Sequence, residues 1–339
     1  MNILVVGGAG YIGSHMVKQL LGAGHGVVVA DNFSTGHRDA IMGELVELDI
    51  ADAGALVALF AQHRIGAVMH FASFIRVGES VKEPGKYYAN NLAATLTLLQ
   101  AMCRVGIGRF IFSSTAAVYG NPEYVPIDEA HPKAPINPYG RSKWMVEQIL
   151  EDYDRAYGLK SVRLRYFNAA GADPEGQLGE RHEPETHLIP LILQAASGRR
   201  SALTVFGRDY DTPDGTCIRN YIHVSDLVEA HALALDYLTA GGESCALNLG
   251  NGSGSSVQEV IDTAQRVSGR EIPLQDASRR EGDPPRLVAD ARLARRVLGW
   301  QPRHADLETI IAHAWRWECH QSEWHMKVGT GGTANTNRI

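Results

Sequence analysis

The sequence predicts an α/β protein, with a doubly wound parallel sheet followed by a smaller mixed α/β domain. Short apolar runs alternate with helical patterns through the first half, and a glycine-rich turn over residues 7–13 follows the first run. At 339 residues the chain exceeds the usual size of one compact core, so a second domain is expected. We predict a first domain over 1–170, a second over 171–325 with the chain crossing between them, and a disordered tail over 326–339.

The composition is that of an ordinary enzyme, with 45% hydrophobic and 21% charged residues. A formal net charge of -6 argues against nucleic acid as the main partner. We expect no membrane-spanning helix because no run of 18 apolar residues exists, and no signal peptide because no basic residue precedes Lys18. Four widely spaced cysteines suggest reduced thiols and therefore a cytoplasmic protein.

The first structural unit is a strand, a glycine turn, a helix and a second strand. The apolar run 2–6 precedes the turn, a helical pattern covers 14–24, and the run 26–31 ends in Asp31. Glycines let the backbone approach a pyrophosphate, and the helix N-terminus offers its free N–H groups to the negative charge. Asp31 suits the ribose hydroxyls and would repel a 2′-phosphate, so NAD is favoured over NADP. The unit indicates a Rossmann-like dinucleotide site, although its glycines follow G-x-x-G-x-x-G spacing.

The alternation continues along the first half. Polar residues stand where the predicted strands end, notably Asp31, Asp49, Ser113 to Thr115 and Asn168. In a doubly wound sheet these ends share one edge, where ligands bind, although each polar residue could also be a simple cap or turn. The predicted strands are 44–50, 66–72, 109–114 and 161–168, with helices over 52–63, 87–102 and from 138 onward.

The helix that begins near Pro138 carries Tyr139 and Lys143 on one face, four residues apart. A free tyrosine has a pKa of about 10, and a neighbouring cation lowers that value. The pair therefore suggests a phenolate base. Taken alone, a Tyr–Lys pair at this spacing is more often a surface pair.

The second half is less regular and predicts a smaller substrate domain over the cleft. Near the C-terminus Cys319, His320 and His325 lie close together, but this is not a usual ligand spacing, so we predict no metal site. The predicted helices are 185–198, 226–238 and 255–269, the last capped by Ser255 or Ser256, and the predicted strands are 203–207 and 246–250.

Several motifs together resemble the extended short-chain dehydrogenase/reductases, and within them the UDP-glucose 4-epimerases. The resemblance runs from residue 1 to about residue 320 and includes two discriminating stretches in the second half, over 205–227 and 279–291. The motifs of the first half are GGAGYIGSH (7–15), Asp31-Asn32, HFAS (70–73), SSTAAVYG (113–120), PYGRSK (138–143) and RYFNAAG (165–171).

The resemblance implies that Thr115, Tyr139 and Lys143 are catalytic. Tyr139 would take the proton from the sugar 4-hydroxyl, Lys143 would hold the nicotinamide ribose, and Thr115 would bond the reacting oxygen. The implied reaction of galactose metabolism interconverts UDP-galactose and UDP-glucose through a transient 4-keto sugar, with bound NAD taking and returning the hydride. A homodimer is implied as well, paired through the helices at 87–104 and 141–157.

The same resemblance assigns binding residues. Those expected at NAD are Gly7, Gly10, Tyr11, Ile12, Gly13, Asp31, Asn32, Phe33, Ser34, Thr35, Gly36, Asp49, Ile50, Phe71, Ala72, Ser73, Asn90, Thr115, Tyr139, Lys143 and Phe167. Those expected at the UDP-sugar are Thr115, Tyr139, Asn168, His187, Leu188, Phe206, Arg219, Arg280, Asp283 and Leu287.

Three positions depart from the family pattern. Asn220 stands where the family commonly has Asp, Ile75 replaces a Lys of some members, and Leu287 occupies the position that gates the hexose pocket. Tyr at the gate resembles enzymes restricted to UDP-glucose and UDP-galactose, and a small residue resembles those that also admit N-acetylhexosamines. Leu is intermediate in size, so the residue at the gate does not decide whether UDP-GlcNAc and UDP-GalNAc are substrates.

Related functions differ from this one at identifiable positions of the sequence. Ala116-Ala117 after Thr115 replace the Asp-Glu pair of nucleotide-sugar 4,6-dehydratases. A UDP-glucuronate or other nucleotide-sugar 4-epimerase stays open. A non-catalytic NAD-sensing protein is disfavoured because both Tyr139 and Lys143 are kept, and a sugar dehydrogenase would exchange NADH with solvent.

Overall fold

The computed structural model describes residues 1–280 and 283–330. Its strands are β1 (Asn2–Val6), β2 (Gly26–Asp31), β3 (Glu44–Glu47), β4 (Ile65–His70), β5 (Arg109–Ser113), β6 (Lys160–Arg165), β7 (Asn168–Ala170), β8 (Leu203–Phe206), β9 (Ile218–Arg219), β10 (Tyr221–His223), β11 (Cys245–Asn248), β12 (Ser255–Ser256), β13 (Leu274–Ala277) and β14 (Arg286–Leu287). Its α-helices are α1 (Tyr11–Gly22), α2 (Ala53–Gln62), α3 (Val77–Lys82), α4 (Pro84–Tyr87), α5 (Thr95–Val105), α6 (Pro138–Tyr157), α7 (Leu188–Ala196), α8 (Val224–Thr239), α9 (Val257–Ser268), α10 (Arg292–Leu298) and α11 (Leu307–Thr330).

Seven parallel strands form the main sheet, in the order β11-β6-β5-β4-β1-β2-β3. The chain first builds outward from β1 through β2 to β3, then returns to the other side of β1 with β4. The order therefore reverses between β1 and β4, which is the point where doubly wound sheets bind ligands at the carboxyl ends of their strands. The predicted fold class is confirmed.

Alternate residues of β1 enter two different hydrophobic cores. Ile3 and Val5 pack into the cluster that contains Met16 of α1 and residues of α8. Leu4 and Val6 pack into a second cluster with residues of α2, α5 and α6. Both faces of the sheet are therefore covered, which explains why its strands are continuous apolar runs.

The chain crosses back to the main sheet after residue 170. The run predicted as a strand of the second half becomes β11, which pairs in parallel with β6. The helix predicted over 226–238 is α8, which packs against α1 beneath that sheet. The sequence did not locate this return to the main sheet, because a short apolar run does not reveal which strand it will pair with.

The second lobe packs α7, α9 and α11 around a separate core. Ser256 caps α9 in a capping box with Glu259, which selects it from the two predicted caps. Small sheets join β8 with β13 and β9 with both β12 and β14. Helix α11 continues to Thr330. Residues 331–339 of the predicted tail, over 326–339, lie outside the described residues.

One predicted helix is not uniform. Between α4 and α5 the chain forms a π-helical segment over Tyr88–Ala94, which carries Asn90. Asn91 in this segment bonds both backbone groups of Phe74, accepting from its N–H at 2.9 Å and donating to its carbonyl at 3.0 Å. Such π-helical turns are frequent at functional sites. No helix among the described residues is long and apolar enough to span a membrane.

Candidate active site

The glycine turn brings the start of α1 against the end of β1. A Cβ on Gly13 would lie 2.1 Å from the carbonyl oxygen of Gly7, and Gly7 itself has φ +83°. Gly10 is the N-cap of α1 and makes no side-chain hydrogen bond to the first turn. The cap therefore supplies no hydrogen-bond partner to the N–H groups of that turn. The turn therefore fits the close approach of a dinucleotide pyrophosphate to a helix N-terminus.

Asp31 ends β2 beside this turn and is 8% exposed. Its carboxylate accepts from the backbone N–H of Ala9 at 2.9 Å and from that of Phe33 at 2.8 Å. It thereby ties the glycine turn to the loop that follows β2. Phe33 in that loop has φ 55° and its ring lies 4.1 Å below the Arg38 guanidinium.

The remaining residues predicted for NAD gather at the carboxyl ends of the strands. Asn32 donates to Asp49 at 3.0 Å and so connects the loops after β2 and β3. Phe71, just beyond β4, packs against His231 of α8. The others follow the same edge: Asn32 to Gly36 after β2, Asp49 and Ile50 after β3, Phe71 to Ser73 after β4, Asn90 in the π-helical segment and Phe167 after β6.

Thr115, Tyr139 and Lys143 come together at the end of β5. The Asn137 side chain accepts from the Gly140 N–H at 2.9 Å and caps α6, so Tyr139 and Lys143 both belong to its first two turns. The Thr115 side chain lies near enough to the Tyr139 hydroxyl to act on its pKa, and the Thr115 hydroxyl accepts from Ala117 N–H at 3.1 Å.

Burial dominates the electrostatics of the pair. Burial raises the pKa of Tyr139, and Thr115 opposes that rise only in part. Lys143 is not among the causes of this shift in the chain without NAD, so a lowering of the Tyr139 pKa by Lys143 stays a prediction for the NAD-bound protein. The Lys143 ammonium instead donates to the Ser113 carbonyl at 2.8 Å, and burial lowers its own pKa to about 7.

Sequence reasoning missed a buried polar network behind this site. Glu147 on α6 accepts from Arg165 on β6 at 2.9 Å and from the Ser114 hydroxyl at 2.5 Å. Arg165 also donates to the Tyr119 hydroxyl at 2.9 Å, and Tyr119 donates to Asn248 on β11 at 2.6 Å. The network links α6, β5, β6 and β11.

Two predicted substrate residues, Arg219 and Asp283, form an ion pair. The Arg280 guanidinium stacks over the Phe206 ring at 4.0 Å. Arg280 and Asp283 line a cleft of about 640 Å³, of which Tyr139 is not a lining residue. These four predicted substrate residues therefore lie at or next to one cleft.

Leu287 connects these contacts to the catalytic side. It pairs in register with Arg219 between β14 and β9. Its side chain packs with Phe167 against a small core that includes Ala116 and Tyr119. The side chain at the gate position therefore packs against the core that contains Ala116, the residue that follows Thr115.

Asn168, His187 and Leu188 share the walls of a small cavity at the start of α7. Asn168 donates to the Asn220 carbonyl at 3.1 Å. The Asn220 side-chain amide donates to the Ser253 carbonyl at 2.6 Å, which the Asp common in the family could not do. This bond explains how the loop accommodates the departure.

A second group that the sequence analysis missed surrounds His187. Glu180, His182, Glu185 and His187 converge on one point. The two carboxylates raise the pKa of His182 to about 9 and that of His187 to about 10, against the opposing effect of burial. The spacing of four such residues within positions 180–187 was visible in the sequence.

The chain matches the model of the NAD dependent epimerase/dehydratase family over residues 3–250. It belongs to that family. The UDP-glucose 4-epimerase of Rhizobium meliloti (strain 1021) is 55% identical over 323 residues, which cover 95% of this chain and 98% of the relative.

Solved structures of the same family agree. The UDP-glucose 4-epimerase from Brucella ovis in complex with NAD has a TM-score of 0.91 and 51% identity, and the match covers 93% of this chain and 97% of that one. The UDP-Glc/GlcNAc 4-epimerase from Campylobacter jejuni has a TM-score of 0.83 and 45% identity, with 94% and 99% covered. The resemblance inferred from the motifs is confirmed at the level of the family.

Proposed function

We propose that this chain is a UDP-glucose 4-epimerase, which interconverts UDP-galactose and UDP-glucose through a transient 4-keto sugar on NAD that stays bound. The observation that carries the proposal is that Thr115, Tyr139 and the buried Lys143 lie together at the end of β5 and the start of α6. These residues lie at the carboxyl edge of the main sheet, where the glycine turn also lies. Relatives about half identical over nearly their whole length bear that name, and the family's own description is NAD dependent.

Each catalytic residue has a distinct part. Tyr139 holds and moves the proton of the sugar 4-oxygen, and Thr115 hydrogen-bonds the same oxygen. Lys143 holds the nicotinamide ribose and stabilises the Tyr139 phenolate. NAD, when bound, supplies reversible two-electron oxidation and reduction at C4 of the sugar. The chain's contribution is orientation, a proton carrier and a site that keeps the keto sugar from leaving.

The glycine turn, Asp31 and the loops after β2, β3 and β4 hold NAD in this proposal. Arg219 and Arg280 take the diphosphate of the UDP-sugar, since guanidinium groups bind phosphate oxygens through paired bonds. Phe206 and Asp283 hold the nucleoside. Asn168, His187 and Leu188 line the path from the diphosphate to the sugar.

A second substrate class has a specific observation in its favour. The residue at the gate is Leu287 rather than Tyr, and a structural relative is named a UDP-Glc/GlcNAc 4-epimerase. We therefore add UDP-GlcNAc and UDP-GalNAc as candidate substrates. UDP-glucuronate remains an alternative for the same Tyr139–Lys143 chemistry.

We also propose a homodimer in the cytoplasm, with two domains as predicted from the sequence. The family resemblance suggests pairing through α5 and α6, whose ends leave Val105 and Tyr157 48% and 65% exposed. The wide spacing of the four cysteines along the chain supports a reducing compartment. Sedimentation of the wild type and Tyr157→Glu tests the dimer. A monomeric wild type would contradict it.

The activity itself is tested with a coupled assay. Purified protein is incubated with UDP-galactose, added NAD and UDP-glucose dehydrogenase, and NADH formation is followed by absorbance. Steady NADH formation that needs both proteins supports the proposal. Absence of signal with UDP-galactose, together with conversion of UDP-glucuronate in a chromatographic assay, would move the assignment to the alternative.

A further inference from the structure

Four side chains of one short segment converge in the second lobe: Glu180, His182, Glu185 and His187. We propose that they form a structural binding site for a divalent transition-metal ion, with Zn²⁺ as the best match. We call these residues the His/Glu cluster. His187 is also assigned to the substrate site, so the ion would lie next to that site, and the proposal is tested by metal binding rather than by turnover.

The geometry of the His/Glu cluster suits a tetrahedral ion. Its four candidate ligand atoms lie within 4.8 Å of one another. Nδ1 of His187 is 2.8 Å from a Glu180 oxygen and 3.1 Å from a Glu185 oxygen, while Nδ1 of His182 is 3.2 and 3.6 Å from the same two carboxylates. Tetrahedral Zn²⁺ with bonds of about 2.0 Å separates neighbouring ligand atoms by roughly 3.3 Å. The four separations between a histidine nitrogen and a carboxylate oxygen lie on both sides of that value, from 2.8 to 3.6 Å.

One ring nitrogen has no hydrogen bond. Nδ1 of His182 is buried and lies 3.2 Å from Glu180, yet no hydrogen bond of acceptable geometry forms there. Buried polar atoms are ordinarily satisfied, so an exception needs an explanation. A nitrogen lone pair directed at an ion between the two carboxylates provides one.

The charge balance also favours an ion. The side chains of Glu180 and Glu185 are only 6% and 5% exposed, and buried carboxylates are paired or coordinate metals. One divalent cation with two neutral imidazoles would neutralise both. Two protonated imidazoles would achieve the same balance, and this is the competing state. The set of two nitrogen and two oxygen ligands suits Zn²⁺, and four protein ligands leave no open position, as in structural sites.

The segment that carries the cluster connects several parts of the molecule. Arg181 pairs with Asp39 in the loop after β2 at 2.5 Å. The indole of Trp317 on α11 donates to the Glu180 carbonyl at 3.1 Å. Burial raises the pKa of Tyr11, on the glycine turn, and the two carboxylates raise it further, so they lie within electrostatic reach of it. An ion here would fasten the segment between α11 and the dinucleotide side of the molecule.

The test uses the full chain, stripped with a chelator and dialysed. Zn²⁺ is then titrated by calorimetry, bound metal is counted by mass spectrometry, and the melting temperature is recorded with and without Zn²⁺. We expect one tightly bound Zn²⁺ per chain and a higher melting temperature. His182→Gln should bind at least tenfold more weakly, and Glu185→Gln serves if the first variant does not fold.

The matched control is His304→Gln. His304 belongs to a separate group of imidazoles, with its ring centroid 4.7 Å from that of His223 and 5.5 Å from that of His313. The His304→Gln variant should bind Zn²⁺ with the same affinity and stoichiometry as the wild type. Equal binding by His182→Gln and the wild type, loss of binding in His304→Gln alone, or no binding by the wild type would overturn the proposal.

A measurement on the wild type alone guards against folding failures. Co²⁺ substitutes for Zn²⁺ and reports its ligands by absorption. We expect the intense visible bands of a tetrahedral site and no thiolate charge-transfer band. A thiolate band would place the ion on one of the four cysteines and contradict the assignment.

Discussion

Glu147 on α6 and Arg165 on β6 form an ion pair in the interior, with side chains 0% and 4% exposed. Glu147 lies one helical turn after Lys143, so the pair fixes the helix that carries Tyr139 and Lys143 against the sheet. Ser114 is the residue before Thr115, and its hydroxyl donates to the same carboxylate at 2.5 Å. The buried Glu147–Arg165 pair therefore positions both segments that carry the three proposed catalytic residues.

Glu147→Ala should lower the free energy of unfolding by about 3–5 kcal/mol, because it leaves the Arg165 charge buried and unpaired. Asp152→Ala on the same helix is the control, since its pair with Arg155 is 74% and 73% exposed. That change should cost about 0–1 kcal/mol. Urea denaturation of both variants measures the difference, and equal losses would contradict the role given to the buried pair.

Asp31→Ala should reduce the NAD content of the purified protein. The carboxylate proposed for the ribose also holds Ala9 and Phe33 in place, so both the contact and the loop are lost. Asp52→Ala is the control: Asp52 likewise accepts two backbone N–H bonds, at the start of α2, so its loss should cost about 0.5–2 kcal/mol of stability without releasing NAD. Unchanged NAD in Asp31→Ala would refute its assigned part.

Leu287→Tyr should narrow the hexose pocket, because Leu287 packs with Phe167 beside Ala116. We expect kcat/KM for UDP-GlcNAc to fall relative to that for UDP-glucose, by roughly 10- to 100-fold for a steric change of this kind. Both substrates are measured with the wild type and the variant. The same ratio in the two proteins would remove Leu287 from the control of specificity.

Lys143 should make the stability of the NAD-free protein depend on pH. Burial lowers its pKa from 10.5 to about 7 in the folded state, so between those values the unfolded chain binds more protons. The free energy of unfolding should therefore rise with pH in that window, relative to Lys143→Met, which cannot titrate. Below about pH 7 the difference should level off. Denaturation at pH 6, 7.5 and 9 measures it, and a difference that falls with pH would contradict the burial of a titrating ammonium.

Features set by local spacing could be predicted from the sequence. The glycine turn with Asp31, and Tyr139 four residues before Lys143, each lie within one supersecondary unit whose geometry is known in advance. The strand alternation located the sheet edge for the same reason. The His/Glu cluster also has local spacing, but the sequence does not reveal the turn that brings its four side chains together.

Features that depend on distant partners could not be predicted. Arg165 and Ser114 are 18 and 33 positions from Glu147, and β11 pairs with β6 although some 80 positions separate them. The rise in the Tyr139 pKa follows from burial, which only the packed structure reveals. The Lys143 ammonium takes the Ser113 carbonyl as its partner, and no residue spacing indicates that choice.

The most direct test of the central claim is an NMR time course with UDP-galactose and no added NAD. We expect UDP-glucose to grow to a fixed equilibrium ratio, with no NADH in solution. Tyr139→Phe should keep its fold and bound NAD, while the rate falls by about 10²- to 10⁴-fold, the range of general acid–base catalysis. Near-normal turnover in that variant, or a wild type that converts nothing even after NAD is supplied, would contradict the account.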